Sequence, residues 1–169
     1  NGDDFDTDGY SSCEGDCDDN DPTLGPWDVD GDEYSTCAGD CRDDDPTITP
    51  RTDEDGDGFV FCSDCDDQDA STYPGAGELE PDNTICTTDA DEDGYGDSDP
   101  MPGVTAGTDC EDTDVSLNPA DVDNDGMSSC EGDCDDEFPG ITAIDYDGDG
   151  FSSCYVDCWD SIVDVNGDG

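Results

Sequence analysis

The sequence predicts an irregular, loop-dominated tandem-repeat array with a few short β-strands and almost no helix. Three observations predict it. An Asp-x-Asp-x-Asp motif returns about every 24 residues along the chain, and apolar residues make up only 30% of its 169 residues. No segment sustains a 3.6-residue apolar period, and 21 Gly and 10 Pro join the aspartates in opposing helix.

The charge excludes several classes of protein at once. There are 53 Asp and Glu against two Arg, with no Lys and no His, for a formal net charge of −51. That sign opposes nucleic acid and anionic membrane as partners, and membrane insertion is not expected. Too few apolar residues remain for a large core, so another source of folding free energy is required. Bound cations and disulfides are the usual replacements in small modules. The 12 Cys, an even number without His-Cys zinc spacing, point to an oxidising, secreted or cell-surface location. No signal peptide, transmembrane stretch or basic targeting run is visible, so the expectation is a mature or excerpted piece of a secreted product.

The repeats follow in order. Repeat 1 (4–27) opens with Asp4, Asp6 and Asp8, has Tyr10 at loop position 7, and continues through Asp16 to a second acidic cluster at Asp18, Asp19 and Asp21. Repeat 2 (28–52) repeats this with Asp28, Asp30, Asp32, Tyr34 and Asp40, then Asp43, Asp44 and Asp45, but carries Glu33 where the others have Gly. Repeat 3 (53–88) has Asp53, Asp55, Asp57, Phe59, Asp64, Asp66, Asp67 and Asp69, and an insertion from Gly77 to Cys86. Repeat 4 (89–120) has Asp89, Asp91, Asp93 and Tyr95, an insertion from Asp97 to Thr108, then Asp109, Asp112 and Asp114. Repeat 5 (121–144) has Asp121, Asp123, Asp125, Met127, Asp133, Asp135 and Asp136, and repeat 6 (145–163) has Asp145, Asp147, Asp149, Phe151, Asp157 and Asp160. A seventh copy (164–169) starts with Asp164, Asn166 and Asp168, and either a longer array or a following subunit is expected to complete it.

These residue types in this pattern point to calcium. The ion takes six to eight oxygens, and the loop that supplies them in EF-hands uses positions 1, 3 and 5, a carbonyl at 7 and an acid at 12, with Gly at 6. Repeat 3 keeps that register through Asp64, whereas repeats 1, 2, 5 and 6 close one residue later, at Asp16, Asp40, Asp133 and Asp157. Apart from Glu33, Asp44 and the residues that bound the two insertions, all the residues named in the seven copies are candidate metal ligands. The second cluster offers more oxygens than one ion uses, so one or two ions per repeat are expected, the alternative being a solvated acidic face. Two apolar residues per unit, one at position 7 and one after the second cluster (Leu24, Ile48, Tyr73, Leu117 and Ile141), predict a thin seam shared by stacked neighbours. Trp27 and Trp159 are expected at that seam or at an interface, and short strands at stretches such as Gly58 to Cys62.

The Cys spacings suggest local pairs, Cys13/Cys17, Cys37/Cys41, Cys62/Cys65, Cys130/Cys134 and Cys154/Cys158, with Cys86/Cys110 bridging the insertion. Zinc thiolates or a redox Cys-x-x-Cys are the rival reading, disfavoured by the absence of His. Catalysis is not expected, because no nucleophile-base pair stands out. Thr47, Thr49 and Thr72, which lie close to Pro, are candidate sites for O-linked glycans.

The unit, most clearly DEDGDGFVFCSDCDDQDASTYPGAGELEPD in repeat 3, resembles the Asp-rich metal-binding repeats of bacterial secreted and surface proteins, a repeat also found in a secreted copper-binding protein of methane oxidisers. It is similar, too, to thrombospondin type 3 calcium repeats. The resemblance implies a secreted, metal-loaded scaffold with the loop acids as calcium ligands. It does not extend to copper, which favours imidazole or thioether, since the chain has only Met101 and Met127. The expected function is an extracellular calcium-binding structural repeat protein: a metal-stiffened stalk, or a surface fibre built head to tail from further copies or flanking repeats. The alternative is a metal-sequestering or mineral-binding acidic protein.

Overall fold

The computed structural model describes residues 2–145, 148 and 152–155. Its chain falls into two units, Asn1–Pro74 and Gly75–Gly169. The described residues of both are almost wholly turns, bends and irregular chain. Helical structure among the described residues is three single 3-10 turns, Thr36–Ala38, Ser129–Glu131 and Ser153–Tyr155. Extended structure among the described residues is two three-residue strands, Thr72–Pro74 in the first unit and Cys86–Thr88 in the second. Gly58 to Cys62, expected as a strand, is not one, because the Val60 carbonyl is drawn into a turn by the N–H groups of Ser63 and Asp64.

The expected shortage of core is real. The buried hydrophobic residues among those described are Ile48 and Ala76, whereas buried polar side chains are many. The described position-7 residues, Tyr10, Tyr34, Phe59, Tyr95 and Met127, are at most half-buried, and Tyr10 lies on the surface. Two of them meet an aromatic ring of their own repeat, with centroids 5.1 Å apart: Tyr10 lies tilted against Trp27, and Phe59 stacks on Tyr73. Each contact of this kind contributes on the order of 1 kcal/mol. Two cation-π contacts add to these in the first unit, Arg42 of repeat 2 over Phe61 of repeat 3 and, within repeat 2, Arg51 over Tyr34. The apolar seam is thus a string of ring contacts rather than a continuous stripe.

The disulfides overturn the local pairing. Cys17 joins Cys37, Cys41 joins Cys62, Cys110 joins Cys130 and Cys134 joins Cys154, at sequence separations of 20, 21, 20 and 20. Cys65 and Cys86 are disulfide-bonded as well. In the bridges of Cys17, Cys41, Cys110 and Cys134, the Cys that directly follows a closing acid reaches the first Cys of the next repeat. The reason is the turn between the two Cys of one repeat. In repeat 2 the Ser35 carbonyl accepts the N–H of Ala38 and of Asp40, and Gly39 reverses the chain at φ 94°. Asp40 goes inward, while the Cys37 N–H is held by the Gly25 carbonyl of the preceding repeat. Cys37 therefore faces back along the array and Cys41 forward.

The two insertions of repeats 3 and 4 fold together within the second unit. Asp97 pairs with Asp109 in a β-bridge, and Gly107 packs so closely on Gly96 that a Cβ there would lie 2.2 Å from the Gly96 oxygen. The buried Glu80 clamps this arrangement, its Oε1 accepting from the Gly96 N–H, the Thr108 N–H and the Thr108 hydroxyl. The effect is to return Asp109 to its own loop across the inserted residues.

Candidate metal centre

Each loop is wound by alternating backbone handedness. Position 4 has positive φ in every described copy (Thr7 69°, Gly31 91°, Gly56 83°, Glu92 63°, Asn124 63°, Gly148 82°). So does position 6 where it is described (Gly9 105°, Glu33 84°, Gly58 100°, Gly94 94°, Gly126 101°). At Gly9, Gly58 and Gly126 a Cβ would meet nothing within 4 Å, so glycine serves the backbone angle and not packing. The result is that positions 1, 3 and 5 share one side of the loop.

A repeated set of hydrogen bonds then orients their carboxylates. The position-6 N–H donates to the first acid, as Gly9 does to Asp4 Oδ2 at 3.1 Å and Gly94 to Asp89 Oδ2 at 2.9 Å. The position-5 N–H donates to Oδ1 of the third-position acid in all five copies, Asp6, Asp30, Asp55, Asp91 and Asp123, at 3.0–3.2 Å. The N–H of position 7, at Tyr10, Tyr34, Phe59, Tyr95 and Met127, does the same for the fifth-position acids Asp8, Asp32, Asp57, Asp93 and Asp125. In each carboxylate one oxygen is occupied and the other is aimed.

The closing acid arrives by two turns that reach one end. In repeats 1, 2 and 5 its N–H bonds the position-8 carbonyl five residues back (Asp16 to Ser11, Asp40 to Ser35, Asp133 to Ser128), with a left-handed Gly just before it, as in a helix-terminating 6→1 turn. Repeat 3 uses the shorter 5→1 bond, Asp64 to Val60 at 2.9 Å, and needs neither the extra residue nor the Gly. Asp16, Asp40, Asp109 and Asp133 are buried, Asp109 completely.

The second cluster divides into three jobs. Its acid two residues after the Cys, the middle one of the Cys-Asp-Asp-x-Asp pattern, turns back to the same loop: Asp19, Asp43, Asp67, Asp112 and Asp136 each accept the N–H of loop position 2. Its last acid caps a turn. Asp21, Asp45, Asp69 and Asp114 accept both the N–H and the hydroxyl of the Thr or Ser two residues on, which holds their carboxyls below the ordinary value. Its first acid stays at the periphery, Asp18 binding the Asn20 N–H and Asp66 that of Gln68. Asp44 pairs with Arg42 at 3.4 Å on the surface, and Asp135 is half-buried. The structure therefore assembles five carboxylates per complete loop, at positions 1, 3 and 5, at the closing position and in the middle of the second cluster. Sequence reasoning missed the signal that separates this acid from its neighbours: Asp stands two residues after the Cys in all five copies, whereas the position before it is Arg42 in repeat 2 and Glu111 in repeat 4, and the last position is Phe138 in repeat 5.

What most of these carboxylates lack is a donor for the second oxygen. The third-position acids of all five copies, Asp8, Asp32, Asp57 and Asp93 at position 5, and all five closing acids each bury an Oδ2 that no hydrogen bond reaches. Asp67 Oδ2 and the Oδ1 atoms of Asp89 and Asp121 join them, while Asp125 Oδ2 is taken by the Gly140 N–H. Buried carboxylate oxygens without partners are costly and rare, and here they recur at the same positions copy after copy. Desolvation is the main force pushing the Asp6, Asp30 and Asp123 carboxyls up, and the charges of the other loop acids and the closing acid add to it. Asp64, Asp89 and Asp109 are raised in the same way. Burial, with repulsion from Asp97, Asp109 and Asp89, pushes Asp112 up to about 6.

Such an all-oxygen, anionic set fits a hard divalent cation. Asp4, Asp6 and Asp8 can present oxygens within 4.8 Å of one another, as can Asp28, Asp30 and Asp32, and Asp6, Asp16 and Asp19. Cys17 and Cys37 lie equally close to Asp16, but their sulfurs are spent in a disulfide. Of repeat 6 the structure describes Asp145, whose Oδ1 accepts the Gly148 N–H. Asp147, Asp149, Phe151, Asp157, Asp160, Asp164, Asn166 and Asp168 lie outside the described residues, as do Cys158 and Trp159.

Comparison with protein-family models, with curated proteins and with solved structures finds no match to the chain.

Proposed function

We propose that the chain is an extracellular calcium-binding structural repeat protein, in which one ion per complete loop replaces the hydrophobic core and stiffens a stalk or a surface fibre. One observation carries this reading: the buried, donor-less carboxylate oxygens that recur at positions 3 and 5 and at the closing acid. Nothing else in the loops can neutralise them, and oxygen-only ligation favours calcium over softer metals. The geometry favours one ion per loop over two, because the middle acid of the second cluster serves the first site and the last acid is engaged by Thr or Ser. Structural use is favoured over sensing, because apolar burial alone does not hold these turns. Bridges between successive repeats would transmit tension along the chain, as a stalk or a head-to-tail fibre requires. An oxidising, secreted or cell-surface setting agrees with the disulfides, and no helix among the described residues is long and apolar enough to cross a membrane. Of the Thr residues suited to O-linked glycans, Thr47 is exposed and Thr72 is buried.

The decisive experiment is calcium titration followed by EDTA, with circular dichroism and bound-metal stoichiometry measured in parallel. About one ion per complete loop and a reversible loss of order in EDTA are expected. A chain equally ordered without metal would refute the proposal.

A further inference from the structure

The cysteine pairing runs against chain statistics. Cys37 and Cys41 are four residues apart and Cys130 and Cys134 are four apart, whereas the bridges actually formed span 20 or 21 residues. Loop-closure entropy alone would favour the local pairs by about tenfold. Something in the fold must override that preference, and it is not an apolar core, since Ile48 and Ala76 are the buried hydrophobic residues described. Around the cysteines sit the acids of the metal loop. The closing acid immediately precedes the second Cys of its repeat, as Asp16 precedes Cys17, Asp40 precedes Cys41 and Asp133 precedes Cys134. Its N–H is bonded to the position-8 carbonyl and its carboxylate is buried, so the flanking Cys leave the turn toward opposite neighbours.

We infer that the cation in each acidic loop selects the disulfide register: metal draws the closing acid inward first, and only then does each Cys face its partner in the next repeat. This rests on the calcium reading above. Without the ion, five like-charged carboxylates repel one another, the turn opens, and the two Cys of one repeat are left as each other's nearest partners. Each bridge forms when two thiols give up two protons and two electrons to a small-molecule disulfide, which is released as two thiols. Linkage works in both directions, so the finished bridges must in turn raise calcium affinity.

The full reduced chain, reoxidised with glutathione disulfide in calcium or in EGTA, tests this. Alkylation followed by cleavage before aspartate separates Cys37 from Cys41 at Asp40, and Cys130 from Cys134 at Asp133, so mass spectrometry distinguishes the registers. Calcium should give the bridges described above, and EGTA should raise the Cys37/Cys41 and Cys130/Cys134 pairs about tenfold relative to them. An identical register in both media, or local pairs in both, would overturn the inference. The double variant Asp121→Asn with Asp123→Asn, reoxidised in calcium, should shift Cys130 toward Cys134 and leave Cys17–Cys37 unchanged. No shift there would also overturn it. Calcium bound by the native oxidised chain is measured separately by equilibrium dialysis. Binding there with a metal-independent register would sink this inference alone, whereas no binding would sink the calcium reading itself.

Discussion

Replacing Asp40 by Asn separates a metal ligand from an ordinary buried acid, because its effect on the metal-free and metal-loaded chains has opposite sign. Asp40 is 2% exposed; its Oδ1 accepts the Arg42 N–H at 2.8 Å, and its Oδ2 is buried without a partner. Asn keeps the first interaction through its carbonyl. Its amide then stands where the bare oxygen was. In the metal-free chain this removes one charge from a loop that also contains Asp28, Asp30, Asp32 and Asp43, so the variant should be at least as stable as the parent. In the loaded chain it removes one of five carboxylates and points N–H at the cation. Losing one member of a buried charge pair costs about 3 kcal/mol, which is roughly 100-fold in calcium affinity at that site. Isothermal titration, with thermal unfolding in EGTA and in saturating calcium, reads both effects. Stability changes of the same sign in the two media, or unchanged affinity, would refute the assignment. Asp45→Asn is the matched control: the Asp45 carboxylate is held by Thr47, so affinity should move less than about threefold while both media show a small loss from the weakened turn.

Glu33→Gly should stabilise the loaded chain by about 1 kcal/mol, because Glu33 holds φ at 84° where every other described copy has Gly, and denaturant midpoints would show it. Acidification should order the metal-free chain. The carboxyls raised by burial and mutual repulsion, Asp112 to about 6 among them, bind protons more tightly folded than unfolded. Their contribution is therefore fully present below the ordinary value of 3.8 and is lost as pH rises through about 6. The radius of gyration in EDTA should accordingly shrink between pH 7 and pH 4, while calcium affinity weakens over the same descent because protons compete for the same oxygens. Expansion on acidification would contradict the geometry. Replacing Cys110 and Cys130 together by Ser removes a bridge of separation 20 and should cost about 3 kcal/mol in calcium, measured by denaturant unfolding.

Much of the site was legible without coordinates, for a definite reason. Alternating Asp with Gly at position 6 has one strong physical reading, a tight loop that aims carboxylates at a cation, and repetition made that reading hard to miss. Glu33 shows that the loop outlasts loss of its Gly: the backbone keeps its positive φ at that position. The one-residue difference in closing distance proved immaterial to where the acid ends, since a 6→1 and a 5→1 turn deliver it alike. Which acid of Cys-Asp-Asp-x-Asp turns back to the loop had one trace in the sequence, the Asp that stands two residues after the Cys in all five copies, but within a single copy nothing marks it. Identical side chains were sorted by neighbours, Thr47 claiming Asp45 and the Val29 N–H claiming Asp43. The clamp at Glu80 was also invisible, because its partners Gly96 and Thr108 are brought to it only by the folding of two insertions.

Composition and spacing by themselves determined that the chain is acidic, loop-built and core-poor, with Cys enough for a disulfide framework. These are sums and local periods, and a linear string records them fully. The disulfide register was decided only in three dimensions. Nearness along the chain predicts pairs four residues apart, but pairing depends on where each turn points its two sulfurs, and the buried closing acid between them points one to the repeat before and the other to the repeat after.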